Sequence, residues 1–197
     1  MRLCRILLAL IVCICGSLAL SQSRSLLVER RGEQLYFSAP QLHFLEGKAI
    51  EKLQNGSTVA YVLALSVIAE NSKKSVFTLR DRFVVSFDLW EEKYSVVQGR
   101  PDGRSASRLT ATMAEAWCLE SLPVPVRAVP EHQQFMIKLE CSIDESETES
   151  GDKINSTLTL AGLIDIFSRK SGEPPLRWEA SAGPLRLGDV KSGKQVP

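Results

Sequence analysis

Histidine is nearly absent from this 197-residue chain: there are two, His43 and His132. Neither has another His or Cys at i+2 to i+4, so a zinc site of the usual short-spaced kind is excluded as a reading. No serine sits in a G-x-S-x-G elbow, and no glycine run resembles a phosphate cradle. Charge of one sign is lacking too. With 24 basic and 23 acidic residues the formal net charge is +1, which gives no electrostatic case for nucleic acid or for an anionic membrane surface. There is no internal repeat, and no cofactor motif is present. Of five cysteines, three (Cys4, Cys13 and Cys15) fall in the first fifteen residues, leaving Cys118 and Cys141 for the rest of the chain.

What is present begins with the clearest signal. Arg2 and Arg5 precede an apolar run from Ile6 to Leu20, which closes on Ala19-Leu20-Ser21. A basic start, a short apolar core and small residues at the end make a secretory signal peptide over 1–21, since a membrane anchor wants roughly 20 apolar residues. Val12 before Cys13 and Ile14 before Cys15 are too large for lipoprotein processing. The expected organisation is a signal peptide at 1–21, a flexible arm at 22–32, one domain at 33–190 and a disordered tail at 191–197. No transmembrane segment is expected once the leader is removed, and the compartment is periplasmic or otherwise extracytoplasmic.

Period-two alternation dominates the domain. Val59, Tyr61, Leu63, Leu65, Val67 and Ala69 define one face of a long strand whose other face is also fairly apolar, so that strand is expected to be central. Phe77, Leu79, Phe83, Val85, Phe87 and Leu89 repeat the pattern over 76–90, and Tyr94 to Gln98 returns it, giving an antiparallel meander. Gln133 to Ile143 is a fourth strong strand. A first strand is expected at 33–38, and residues 99–108 read as a polar loop. Two short final strands are expected at 177–180 and 185–190. A short helix is expected at 47–56, ended by Asn55-Gly56. A second carries Leu109, Met113 and Trp117 on one face. Pro123 and Pro125 bar 122–126 from any interior strand. Residues 154–175 fit a helix through Leu160, Leu163, Ile164 and Phe167, or a strand leading into one. The fold class is mainly β: an antiparallel β-sandwich or strongly curved sheet with two or three short helices.

Candidate chemistry is sparse. The acidic loop 144–153 lacks the D-x-D-x-D-G order of a calcium site and reads as solvated, so no metal is assigned. Arg80, Arg82, Arg100, Arg104 and Arg108 form either an anion-contact patch or, the favoured reading, surface ion pairs. Asn55-Gly56-Ser57 and Asn155-Ser156-Thr157 match the N-glycosylation pattern, which acts only in a eukaryotic secretory route. Cys141 is expected to face the core from a strand and Cys118 to lie in a helix. They are two buried thiols or, since export permits it, a disulfide. Asp88, Trp90 and Tyr94 surround the turn Glu91-Glu92-Lys93, either specifying a hairpin or forming a contact patch for a partner.

The stretch Arg82-Phe83-Val84-Val85-Ser86-Phe87-Asp88-Leu89-Trp90-Glu91-Glu92-Lys93-Tyr94 resembles the central signature of the bacterial exported domain-of-unknown-function family 4390. Leu53-Gln54-Asn55-Gly56, Ala116-Trp117-Cys118-Leu119 and Leu163-Ile164-Asp165-Ile166-Phe167-Ser168-Arg169 extend the resemblance across about residues 33–190. It implies a signal-bearing envelope protein of Gram-negative-type bacteria and carries no reaction and no catalytic residues. The expectation is therefore a non-enzymatic envelope module that binds a protein partner. The competing readings are a small-molecule or lipid carrier, resting on the two apolar faces of the 59–69 strand, and an envelope enzyme using acids such as Asp88 and Glu92.

Overall fold

In a computed structural model the chain is described at residues 24–72, 74–144 and 176–193. The signal peptide, the segment 154–175 with its helix-or-strand ambiguity, and the Asn155 sequon lie outside these residues, as does most of the acidic loop.

The described residues are mostly β, with two sheets and two α-helices among them. The strands are β1 (Arg24–Ser25), β2 (Leu27–Arg31), β3 (Gln34–Ser38), β4 (Val59–Ala69), β5 (Ser75–Asp88) and β6 (Lys93–Gln98). They continue with β7 (Ser105–Leu109), β8 (Val124–Pro125), β9 (Phe135–Ile143), β10 (Arg177–Leu185) and β11 (Lys191–Ser192). Helix α1 spans Lys48–Gln54 and α2 spans Ala111–Glu120. The larger sheet runs β1-β10-β9-β4-β5-β6-β7 and the smaller β11-β2-β3-β8. β4 lies between β9 and β5 in antiparallel register, so the doubly apolar strand is central.

Alternation explains the core. Tyr61, Leu63, Leu65 and Val67 of β4, Phe83 and Val85 of β5, and Ile137, Leu139 and Cys141 of β9 are fully buried on one face. Residues between them, such as Val62, Arg82 and Lys138, are half-buried on the other. Opposite the inner face pack α1 through Ala49 and Leu53, α2 through Ala114, Cys118 and Leu119, and the smaller sheet through Leu35 and Phe37. Phe44, Tyr61 and Trp178 meet as tilted and edge-on rings, with centroids 4.9–6.4 Å apart.

Four expectations are corrected. Part of the arm at 22–32 forms β1 and β2, because its charged residues Glu29, Arg30 and Arg31 lie on a half-exposed strand that pairs fully with β3. The polar loop at 99–108 contains the edge strand β7, whose alternation is hidden by serines and arginines. The face of α2 is rotated: Met113 is 54% exposed and Trp117 half-buried, while Glu115 points inward. The tail, expected at 191–197, begins with β11, which pairs in parallel with β2. Val124–Pro125 is a two-residue edge strand, the place a proline-bounded segment can occupy.

Candidate functional site

The β5–β6 turn is the most distinctive surface. β5 ends at Asp88, so Leu89, expected in the core, is instead 55% exposed, and Trp90 is 96% exposed. An aromatic side chain this bare needs a backbone that holds it there. Asp88 Oδ1 accepts hydrogen bonds from the N–H groups of Trp90 (2.8 Å) and Glu91 (3.0 Å), closing an Asx turn. Those two backbone donors hold the Asp88 carboxyl below its ordinary value of 3.8. Arg108, itself at positive φ in the irregular part of β7, grips Glu91 with two bonds of 3.1 and 2.9 Å. Met113, in the first turn of α2, lies at the same end, since its N–H is capped by Thr110 just beyond Arg108. The tip thus presents Leu89 and Trp90 among three carboxylates (Asp88, Glu91 and Glu92) and two cations (Lys93 and Arg108).

Tyr94, expected on this patch, is only 8% exposed. It pairs with Phe87 in the ladder, and their rings pack at 4.8 Å, so it belongs to the core. Burial pushes its phenol upward. Its partnering was legible, because a residue that opens a return strand opposite an inward Phe87 also faces inward.

A second polar node was missed in the sequence. Glu115 is 5% exposed, and its Oε1 accepts the N–H groups of Phe44 (2.7 Å) and Leu45 (2.9 Å). Its Oε2 meets His43 Nδ1 at 3.0 Å. Tyr61 Oη donates to the carbonyl of Phe44 at 3.1 Å. Together they fasten the 42–45 loop to α2. Spacing within one helix cannot reveal a carboxylate that serves a loop seventy residues earlier.

In the structure Cys118 and Cys141 are both buried and both free. Desolvation pushes each thiol well above its ordinary value of 9.0. The arginine set divides three ways. Arg80 and Arg82 lie on the outer sheet face, with Arg82 Nε 2.9 Å from Asp144. Arg108 serves the tip, and Arg100 and Arg104 line a cleft at the opposite end of β6. Among the described residues no group of three or more His, Cys, Asp or Glu side chains is placed to hold a metal. No helix of the described residues is long and apolar enough to cross a membrane.

Comparison with known protein families, with curated proteins and with solved structures returns no match.

Proposed function

We propose that this chain is a non-catalytic binding module of the cell envelope that inserts Trp90 into an apolar pocket on a protein partner. The observation that carries this reading is a 96%-exposed tryptophan on a turn fixed by Asp88 and by the Arg108–Glu91 pair. A large rigid aromatic held in advance loses little freedom on binding, which is why such residues dominate interface energetics. The surrounding Asp88, Glu91 and Glu92 favour a pocket rimmed by Lys or Arg, and they disfavour an anionic lipid surface. Export is supported by Arg2, Arg5 and the apolar run behind them. The full burial of Tyr61, Leu63, Leu65 and Val67 among the described residues favours a filled core over the carrier reading. Asp88 is occupied as a turn acceptor on a convex tip, which speaks against a carboxylate enzyme there.

The test is site-directed photocrosslinking in the producing cells, with a photoreactive aromatic residue replacing Trp90 and, as control, Glu70 at the far end of β4. One discrete adduct from position 90 and none from position 70 is the expected result. The purified Trp90→Ala protein should lose binding to the partner so identified while keeping its unfolding midpoint. Equal adducts from both positions, or Trp90→Ala binding as the parent does, would overturn the proposal.

A further inference from the structure

The β6–β7 turn lies about 20 Å from Trp90, the length of a six-residue strand, and encloses something different. Its foundation is Asp81, an acid at an inward position of β5 and only 6% exposed. Oδ1 accepts the N–H of Arg82 at 2.9 Å. Oδ2 accepts Gln98 Nε2 and a guanidinium nitrogen of Arg100, each at 2.5 Å. Gln98 is itself 7% exposed, and its Oε1 takes the N–H of Arg104 at 3.3 Å. The turn can close this tightly only because residue 103 is glycine: a Cβ there would fall 2.2 Å from the carbonyl oxygen of Gln98.

Above this network opens a cleft of about 500 Å³, walled by Tyr36, Pro101 and Pro123. Arg100 and Arg104 line it from the turn, and Glu120 and Ser121 line it from the end of α2. The two guanidiniums are held differently. Arg100 is paired with Asp81 through one guanidinium nitrogen. Arg104 makes no ion pair among the described residues. It donates to Oγ of the buried Ser121 at 3.1 Å and lies over the Trp117 ring at 5.8 Å. A guanidinium tethered by a neutral hydroxyl and an aromatic face keeps its charge and its remaining N–H donors for something else. The acid opposite is already taken, since Glu120 meets Arg31 at 3.3 Å. Asp102 stands exposed at the rim.

We propose that this cleft binds a ligand carrying a single carboxylate, received by Arg104 with help from Arg100, while its carbon skeleton rests against Tyr36, Pro101 and Pro123. The volume suits a small ligand or the last residue of a peptide. Glu120 and Asp102 make a second negative charge costly, so phosphate dianions and polyanions are poor ligands. The proposal is independent of the Trp90 reading.

The test follows the Arg104 and Arg100 side-chain Nε–H signals and the Gly103 amide by nuclear magnetic resonance. The probes are 4-fluorobenzoate, its uncharged amide 4-fluorobenzamide, and the peptide Ala-Ala-Phe with a free or an amidated C-terminus. A saturable shift with a carboxylate and none with the matching amide is expected. Arg104→Gln should weaken binding about tenfold or more, and Arg104→Lys less, because the charge stays while the fork is lost. Unchanged amide spectra away from the turn show that each variant is folded. Trp90→Ala should bind the probes as the parent does. Preference for the free acid identifies a small organic acid, and preference for the peptide identifies a chain terminus. No shift with either carboxylate, equal response to acids and amides, or undiminished binding by Arg104→Gln would overturn the proposal.

Discussion

At one end of the β5–β6–β7 meander the turn is fastened from outside, by the exposed carboxylates of Asp88 and Glu91 and the guanidinium of Arg108. At the other it is fastened from beneath, by Asp81 and Gln98 sunk into the inner face of the sheet. Both use an acid, an arginine and backbone donors. They differ in solvent. Water screens the outer set, so its members order a loop and add little to global stability. The inner set has exchanged its hydration for fixed partners, so losing one leaves the others stranded.

The sharpest way to break the comparison is Asp81→Ala. It strands the buried Gln98 amide and removes the counter-ion of the half-exposed Arg100. We expect a loss of about 2–3 kcal/mol, read as a lower urea midpoint at unchanged slope. Gly103→Ala attacks the same end through the backbone. The new methyl meets the Gln98 carbonyl, and we expect about 1–3 kcal/mol of destabilisation with a displaced Gln98 amide signal. A midpoint equal to the parent's for either variant would erase the distinction between the two ends.

The smallest effect belongs to the tip, and it is a matter of pH. The folded Asp88 carboxyl is held below the ordinary 3.8 by the Trp90 and Glu91 amides. Its contribution is therefore present above 3.8 and lost as pH falls through the lower folded value. The Trp90 and Glu91 amide shifts should move in that acid window. In Asp88→Asn, which keeps a neutral acceptor, they should stay constant. The global unfolding midpoint at neutral pH should be the same in both proteins.

Much of the larger sheet was legible because its code is binary. β4, β5 and β9 alternate cleanly, and the doubly apolar β4 is central, where both its sides are paired. The helix at 47–56 was legible from its Asn-Gly stop. β7 was not, since Ser105-Ala106-Ser107-Arg108-Leu109 at a sheet edge needs no apolar alternation. The inward turn of Glu115 was hidden, because a carboxylate at a buried helix position is explained only by the distant amides of Phe44 and Leu45. Of the tip, Asp88 closes β5 as the turn acceptor, and Trp90, expected as the last residue of that strand, stands in the turn. Leu89 is exposed because β5 ends at Asp88, two residues short of the expected 76–90, and Tyr94 is core because it pairs with Phe87. The cleft was invisible as a unit: its arginines were noticed, but Tyr36, Ser121 and Pro123 come from other elements.

The pairing of the first and last strands also constrains time. β1 lies in the larger sheet beside β10 and β2 in the smaller sheet beside β11, so the earliest described residues are clasped by the latest. Neither sheet can be completed while residues 177–192 are still inside a ribosome or a translocation channel. A chain so arranged emerges with its central strands made and both borders open. Its closing contacts span almost the whole sequence, which makes closure slow and leaves the unfinished edges in need of protection until the final segment is released.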